Sequence, residues 1–365
     1  MKCPSFVAAA KRSRSYVSCG FAFVLMVALA AMVSGQAKPK KKAGKEPPTQ
    51  TLPVLPDPPA AVAAETARLA FHVSPLSNKG LLSPQTQEAV KEVMQASRGG
   101  RVVKLRAFVA GTGDARRVQT IVSEMFADKK QPLPALTTIQ VGALPMEGAQ
   151  VVLESVSEEK KAVNPGGLAF LAAQHGATAK EAIERLSAVA KAANVETADM
   201  LRVTCFLGSM DDEAVALGDA ARAFPGAAMD FVERLRGGSA ASADCEGVGR
   251  LKQTSGDPVQ LRNGVALVNT AKLVFSGSQM AFGDKEADLR LAFQRLQKAI
   301  EPLGVGYPDV FFYHLYSLTR AVEQRVNGIR SGFFAQGSPD SMLIMEGLPS
   351  PDASMAMEVV AGVRN

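Results

Sequence analysis

The pattern of hydrophobic and polar positions repeats three times between residues 66 and 365. In each copy a short apolar strand precedes an amphipathic helix, and a second apolar strand, a second helix and two closing strands follow. The second strands, at 102–109, 200–207 and 309–318, are the most distinct, because each is an apolar run directly after a helical pattern. This order predicts an α+β fold in which each unit is a mixed sheet with two helices on one face.

The helices are recognised by their start signals and by apolar residues at helical spacing. Ser83 is predicted to cap the first helix, with Pro84 at its first helical position. Thr178 and Glu181 have the spacing of a capping box at the start of the third helix. The predicted helices are 83–96, 114–127, one from 178, 211–224, one from 284, and 319–334.

The first 37 residues have the composition of a secretory signal. Four basic residues precede the uninterrupted apolar stretch 21–33, and small residues follow it. That stretch is shorter than the roughly 20 residues that a spanning helix needs. We therefore expect cleavage near Gly35 or Ala37, export to the periplasm or the medium, and no membrane span in the mature chain. An uncleaved membrane anchor is the alternative interpretation.

The segment 38–65 is predicted to be a disordered linker, because a mixture of Lys and Pro without apolar periodicity buries no surface. This segment also carries part of the positive net charge of the chain. Of the +6 carried by the chain, the signal contributes +4 and residues 38–60 contribute +3, which leaves −1 for the folded part. The folded part therefore lacks the electrostatic footprint of nucleic-acid binding, and no nucleic-acid partner is expected.

The remaining chain divides into three predicted units, 66–162, 163–256 and 257–365, of which the second is the most divergent. Only Cys205 and Cys245 remain after signal removal, and both fall on strand-like segments of the second unit. An oxidising compartment permits a disulfide between them, which would contribute roughly 4 kcal/mol in the chain-entropy model. Two buried free thiols are the alternative, since the sequence does not fix their separation.

Three stretches carry a resemblance to a known family. They are the turn Phe275-Ser276-Gly277-Ser278-Gln279, the helix end Val326-Asn327-Gly328-Ile329-Arg330-Ser331-Gly332-Phe333-Phe334, and the strand that runs from Pro134-Ala135-Leu136-Thr137 to Leu144-Pro145. By their order and spacing the chain resembles the RidA family, also called YjgF or L-PSP-like. The resemblance covers about 300 residues as three units and is most specific for the first and the third.

The resemblance implies an assembly as well as a fold. Proteins of this family form trimers with ligand clefts between neighbouring subunits, so three tandem units suggest a pseudo-trimer within one chain. We expect a monomer with internal pseudo-threefold symmetry and an unknown small molecule bound at the clefts between units. Three independently tumbling units are the alternative, which the short connections between the units disfavour.

The family's substrate-binding arginine, in the motif P-A-R-S, is absent from every unit. Its place is taken by Leu136 in the first unit, approximately by Ala228 in the second, and by Asp340 or Ser341 in the third. None of these side chains can bind a carboxylate as a planar guanidinium does. The resemblance therefore implies that a carboxylate-bearing substrate is not bound in the family's way.

The family's acid on the last strand persists as Glu154, Glu246 and Glu358, which are the candidate catalytic residues. The alternative interpretation is that each glutamate pairs with a neighbouring unit. Three further residues are candidate ligand-binding residues by resemblance: Ser276, Asn327 and Arg330. Arg330, at the position of a family tyrosine, is either a substitute cation or a surface residue.

Other catalytic chemistry is sparse in this sequence. The three histidines lack metal-ligand spacing, and neither a metal nor a cofactor is expected. His314 alternates within an apolar strand and is interpreted as a sheet residue. The sequence thus predicts a non-catalytic or divergent binder of a small molecule or partner. The alternative is an imine or enamine deaminase-type hydrolase acting on a substrate without a carboxylate, and an endoribonuclease is disfavoured by the charge.

Overall fold

The computed structural model describes residues 54–111, 113–235, 241–254, 256–262 and 264–364. The predicted signal and the part of the predicted linker up to residue 53 lie outside the described residues. The described residues form one compact unit of three sheets and six helices. None of these helices is long and apolar enough to span a bilayer.

The helices lie close to their predicted positions. They are α1 (Leu82–Ala96), α2 (Ala115–Asp128), α3 (Ala179–Ala192), α4 (Glu213–Ala223), α5 (Glu286–Ile300) and α6 (Arg320–Arg330). The strands in chain order are β1 (Ala61–Glu65), β2 (Leu69–Val73), β3 (Arg101–Ala110), β4 (Ala135–Val141), β5 (Val151–Glu158), β6 (Leu168–Gly176), β7 (Met200–Leu207), β8 (Ala228–Glu233), β9 (Ala243–Arg250), β10 (Val259–Arg262), β11 (Val265–Val268), β12 (Lys272–Ser276), β13 (Gln279–Phe282), β14 (Val310–Ser317), β15 (Asp340–Ile344) and β16 (Ala353–Gly362).

All three sheets contain the same arrangement of four strands. The orders are β2-β5-β3-β4, β6-β9-β7-β8 and β12-β16-β14-β15, and β13 also pairs with β16. In each sheet the two strands that flank the second helix are parallel and the other neighbours are antiparallel. We call each set of strands with its two helices unit 1, unit 2 or unit 3. The α+β class of the prediction is confirmed at the level of the single unit.

Two sheets gain strands from segments that the prediction assigned elsewhere. Ala61–Glu65, assigned to the disordered linker, instead forms β1 and pairs with β12 of unit 3. This part of the prediction is wrong because the run Ala-Val-Ala-Ala contains neither Lys nor Pro and fits the free edge of β12. Strands β10 and β11, assigned to the predicted third unit, instead extend the sheet of unit 2 beside β6, so the predicted boundary at residue 257 is wrong.

The helix starts show where local signals succeeded and failed. Thr178 caps α3 as predicted, its hydroxyl accepting a hydrogen bond from the Glu181 amide at 3.2 Å. The predicted cap of α1 is wrong, because the N-cap residue is Leu81 and no side chain caps this helix. Ser83 and Pro84 therefore lie inside the first turn, where Pro is still tolerated.

Each unit has its own apolar core between its helices and one face of its sheet. In unit 1 the helices bury Val90, Val93 and Val118 against Leu105 and Leu153. Corresponding cores fill units 2 and 3. The placement of both helices on one face follows the prediction, and it leaves the other face of every sheet to be covered by something else.

The uncovered faces cover each other. Two further apolar clusters each contain residues of all three units, one including Phe71, Phe170 and Phe275 and the other Phe108, Phe206 and Tyr316. Backbone hydrogen bonds also join the units in pairs: Gln140 to Gly347, Gly142 to Glu233, and Leu235 to Ile344. The helices thus lie outside a core that the three sheets share.

The two cysteines are bonded to each other. Cys205 on β7 lies directly opposite Cys245 on β9, and the disulfide belongs to the apolar core between the helices and the sheet of unit 2. The interpretation as two free thiols is therefore wrong. A separation of 40 residues could not reveal that the strand register places the two side chains together.

Candidate functional site

The strand register places the three candidate acids at corresponding positions, all on the shared inner faces. Glu154, Glu246 and Glu358 lie opposite Arg106, Thr204 and His314, respectively, on the neighbouring strand. All three carboxylates are buried, Glu246 with 0% exposure. Together with their partners they form a charged layer between the two shared apolar clusters.

Arg106 lies at the centre of this charged layer. Its Nε donates to Glu154 at 2.7 Å and its Nη2 to Glu246 at 3.0 Å, while Nη1 is 3.7 Å from Glu358. Nη1 also donates to the Tyr316 hydroxyl at 3.1 Å. A side chain of unit 1 with 3% exposure therefore binds acids of all three units. Burial opposes this charge, but Glu154 and the other carboxylates hold the pKa of Arg106 well above its ordinary value.

Two further cations complete the charge balance. Lys104 of unit 1 donates to the Thr137 hydroxyl at 2.7 Å and pairs with Glu358 of unit 3. Arg202 of unit 2 lies 3.2 Å from Glu246 and 3.5 Å from Glu154. Lys104 and Arg202 occupy corresponding register positions, each facing a valine on the last strand of its sheet. Burial lowers the pKa of Lys104, against the attraction of Glu358.

His314 connects the acids of units 2 and 3. Its Nε2 lies 2.8 Å from a Glu246 oxygen and its Nδ1 3.2 Å from Glu358. Nε2 is also 2.8 Å from an Arg106 nitrogen, which can only donate. Burial and Arg106 oppose protonation of the imidazole, but Glu246 raises its pKa above the ordinary value. His314 is a sheet residue, as predicted, and it is also part of the charged layer.

Each unit also contributes a polar residue from the strand that follows its second helix, which is β4, β8 or β15. These residues face the acids of a neighbouring unit in the order 1 to 3, 3 to 2 and 2 to 1. Thr137 of unit 1 donates to Glu358 of unit 3, and Ser341 of unit 3 donates to Glu246 of unit 2 at 2.6 Å. The corresponding residue of unit 2 is Asp230, whose Oδ2 has no hydrogen-bond partner among the described residues. Burial, reinforced by Glu154 of unit 1, raises its pKa well above the usual range.

The acids of units 2 and 3 are held in their ionised form. Burial opposes ionisation of Glu246, but His314 and Arg106 lower the pKa of its carboxyl. Burial likewise opposes ionisation of Glu358, but Lys104 and His314 hold its pKa well below the ordinary range. A general acid or base needs a pKa near the working pH, so these depressed values do not suit proton transfer at neutral pH.

The space beside the charged layer is small. A cavity of about 40 Å³ is lined by charged side chains of the three units and by a collar of phenylalanines, with Phe71, Phe170, Phe275 and Phe312 among its walls. A site for a water molecule needs at least roughly 10–15 Å³, whereas ligand pockets are several hundred Å³. This cavity holds at most a few water-sized species and no metabolite.

Ser276 lies where units 1 and 3 meet, and that junction is closed. Its hydroxyl accepts a hydrogen bond from the Val359 amide at 2.9 Å, and its carbonyl accepts from Lys104 at 2.6 Å. The next residue, Gly277, is so close to β4 that a Cβ atom would lie 2.9 Å from the Leu136 carbonyl oxygen. The glycine therefore permits a tight junction, and Ser276 is fully buried in it.

Asn327 and Arg330 lie outside the charged layer. Arg330, half-buried on α6, donates to the Tyr313 hydroxyl at 2.7 Å and pairs with Asp340. Asn327 is exposed and accepts from Arg330 at 2.8 Å. The cation of Arg330 is thus neutralised within unit 3, and it does not reach the shared core.

The register also shows which residues of units 2 and 3 correspond to Leu136. Leu136 pairs with Leu105, Met229 with Val203, and Asp340 with Tyr313. Residue 229 rather than Ala228 is therefore the counterpart in unit 2, and Asp340 rather than Ser341 in unit 3. Because Thr137 faces the glutamates, its neighbour Leu136 lies on the opposite face of the sheet, in the apolar core of unit 1.

An open cleft of about 410 Å³ lies between units 1 and 2. Its lining includes His72 on β2, Arg98 after α1, Glu159 after β5, and Arg250 on β9, whose Nε donates to Asn164 at 3.2 Å. Burial lowers the pKa of His72, which Arg98 reinforces. A larger groove of about 810 Å³ lies in unit 2, between the end of α3 and the β10–β11 hairpin.

The cations of the charged layer were not predicted from the sequence. Lys104 and Arg106 interrupt the apolar run Val-Val-Lys-Leu-Arg-Ala-Phe-Val at alternate positions, and Arg202 interrupts the corresponding run of unit 2. Two charged residues two positions apart in a buried strand share one face, which was the available signal. The described residues contain no cluster of His, Cys, Asp and Glu suited to a metal ion.

Comparison with known proteins gives similarity in structure only. No family model matches the chain, and no curated protein matches it. A member of the YjgF/YER057c/UK114 family from Mycobacterium tuberculosis is 25% identical, with a TM-score of 0.24, over 25% of this chain and 79% of that one. A YjgF family member from Neisseria meningitidis is 15% identical, with a TM-score of 0.24, over 29% and 96%. RidA from an Antarctic Psychrobacter is 13% identical, with a TM-score of 0.23, over 29% and 86%.

Proposed function

We propose that this chain is an exported RidA-like protein in which three tandem units form the intrachain counterpart of a trimer. Its function would be to bind a small polar molecule without transforming it. The motifs around Ser276, Asn327 and Leu136 support the family, and the strand order common to all three sheets supports the tandem repeat. The backbone hydrogen bonds between each pair of units support a closed arrangement rather than separate units.

The observation that carries the non-catalytic assignment is the state of the three glutamates. Each is buried and bound to cations of its own or a neighbouring unit, and the cavity beside them is about 40 Å³. A substrate of metabolite size cannot reach them in this conformation. The residues in place of the family's arginine also lack a positive charge, so both parts of the family's chemistry are missing.

The cleft between units 1 and 2 is the best-supported binding site. Its volume lies within the range of small-molecule pockets, and Arg98 and Arg250 bring two guanidinium groups to its walls. Guanidinium groups suit carboxylate or phosphate groups of a ligand. The open cleft therefore favours a small anionic or zwitterionic metabolite.

The assignment is tested with the purified mature chain and 2-iminopropionate. We expect hydrolysis no faster than in buffer, and acceleration that Glu358→Ala abolishes would overturn the non-catalytic assignment. Binding is tested separately by thermal shift with a series of 2-oxo acids. Arg98→Asn should abolish the shift, and asparagine tolerates the positive φ of 48° at this position. Arg116→Asn, at an exposed position on α2, is the control.

The hydrolase alternative makes a distinct demand on the molecule. A substrate without a carboxylate would still have to reach one of the glutamates, which requires the charged layer to open. Turnover of an uncharged imine would support this alternative. The endoribonuclease interpretation is disfavoured by the formal charge of −1 on the folded part, and RNA left intact by the purified chain would exclude it.

A further inference from the structure

The cavity beside the charged layer differs from an ordinary packing void in what lines it. Lys104, Arg106, Arg202 and His314 contribute to its walls, together with Glu154 and Glu358. These side chains come from all three units. Apolar cavities of this size stay dry, whereas a cavity bordered by charged groups holds a polar species that completes their hydrogen bonds.

One wall of this cavity carries an unsatisfied donor. The Nε of Arg202 is buried and has no hydrogen-bond partner among the residues that the structure describes, although the other guanidinium nitrogens of this residue contact Glu154 and Glu246. The Arg202 side chain is only 10% exposed. A buried donor without a partner is costly, and a guanidinium N–H is satisfied best by a negatively charged acceptor.

The charges around the cavity favour an anion over a neutral acceptor. Three arginine and lysine side chains face three glutamates, and His314 gains a proton readily because Glu246 raises its pKa. Asp230 does not restore the balance, since burial and Glu154 raise its pKa well above the usual range. The raised pKa values of His314 and Asp230 both favour the protonated forms, which add positive charge or remove negative charge and so suit an anion.

We propose that this cavity, at the junction of the three units, is a binding site for a small monovalent anion of halide size. Arg202 Nε provides the free donor, and Lys104 and Arg106 provide the surrounding positive field. A volume of about 40 Å³ admits chloride or bromide but not sulfate or a carboxylate metabolite. The phenylalanine collar on the same cavity favours a weakly hydrated ion, because aromatic rings do not replace a hydration shell.

The anion would stabilise the joined units, because ligand bound only to the folded state raises its stability. Thermal unfolding of the mature chain is measured in sodium chloride and in sodium gluconate at equal ionic strength. We expect the Tm to rise saturably in chloride, by about 2–4 °C for a chain of this size when the site is well filled. Equal Tm values in the two salts at every concentration would overturn the proposal.

Two variants locate the effect. Val156→Ile adds a methylene at the cavity wall and should remove most of the chloride dependence. Val248→Ile is its matched control, because Val248 occupies the corresponding register position in unit 2 without lining the cavity. Arg202→Lys keeps the charge but removes the Nε donor, so it should raise the half-saturating chloride concentration about tenfold. Unchanged chloride dependence in Val156→Ile would place the anion elsewhere and refute the site.

A direct measurement does not depend on the folding of any variant. Crystals of the wild-type chain soaked in sodium bromide should give an anomalous peak within hydrogen-bond distance of Arg202 Nε. A water molecule at that position, or bromide found only on the surface, would overturn the proposal. Neither result bears on the cleft between units 1 and 2, so the proposed function is tested independently.

Discussion

The two faces of each sheet differ in what they contact: one packs within its own unit, and the other contacts the other two units. On β3 the side chains of Leu105 and Ala107 enter the apolar core of unit 1, while Lys104 and Arg106 enter the charged layer shared with units 2 and 3. The apolar cores draw their residues from one unit each. The charged layer draws its residues from all three, and every glutamate in it has a partner from another unit.

This difference separates folding of a unit from recognition between units. Apolar burial is non-directional, and many apolar side chains would fill the helix-facing cores. A buried ion pair adds little net stability, but a buried charge without its partner is strongly unfavourable. We therefore interpret the charged layer as the feature that fixes which faces meet and in what register. The following predictions test that interpretation, beginning with the largest expected effect.

The largest effect is expected for Arg106→Met, which keeps an unbranched side chain but removes the central charge. Glu154 and Glu246 would lose a direct partner without gaining solvent, so the free energy of unfolding should fall by about 3–5 kcal/mol. Urea denaturation followed by circular dichroism measures this loss. Arg101→Met on the same strand is the control, because the Arg101–Glu158 pair is partly exposed and should be worth less than about 1 kcal/mol. Equal losses in the two variants would contradict the special role of the charged layer.

Removing the disulfide tests the apolar core of a single unit, in contrast to the shared charged layer. Cys205→Ala, Cys245→Ser and the double variant each remove a crosslink. This crosslink lies in the apolar core of unit 2 and not in the core of another unit. We expect a loss of about 2–4 kcal/mol, since the unfolded chain regains the entropy of a 40-residue loop. The double variant should keep its compact size in solution scattering. Separation of the units at native pH would show that unit 2 and the shared core are not independent.

The apolar face of each unit was predictable from the sequence, and the charged face was not. The helix-facing residues of α1 and β3 follow periods of 3.6 and 2, which are local properties. The partners of Arg106 lie 48, 140 and 208 residues away in the chain, at Glu154, Glu246 and His314. No local pattern encodes such distances. The glutamates themselves were identified by resemblance, but their pairing with cations of neighbouring units was only one of two interpretations.

The strands that were not predicted also depend on partners that are distant in the chain. β1 is a short run of small apolar residues that pairs with β12, more than 200 residues later. β10 and β11 are two four-residue strands in residues assigned to the predicted third unit. Each is too short to show a periodic pattern, and each becomes a strand because a sheet edge is available to it.

A smaller effect is expected where a unit's own helix is capped. Thr178→Ala removes the hydroxyl that accepts from the Glu181 amide and should cost about 1 kcal/mol. Ser83→Ala is the matched control, because Ser83 lies inside α1 and makes no cap. In urea denaturation, the free energy of unfolding of Ser83→Ala should lie within a few tenths of a kcal/mol of the wild-type value. A similar loss in both variants would show that the N-cap of α1 is misplaced.

The last prediction concerns the pH dependence of the charged layer. Because the folded-state pKa of His314 is raised, its contribution to stability is complete below the unfolded value near 6.5 and is lost as the pH rises through the folded value. His72 in the cleft has a lowered pKa, so its contribution is complete above 6.5 and is lost as the pH falls through its folded value. His314→Gln should therefore be destabilised less at pH 8.5 than at pH 6, and His72→Gln should gain relative to the wild type at pH 5. Urea denaturation of both variants across this range measures the two slopes. Slopes of the same sign would mean that the buried imidazole is held by its surroundings in the neutral form, and His314 would then add no positive charge to the charged layer.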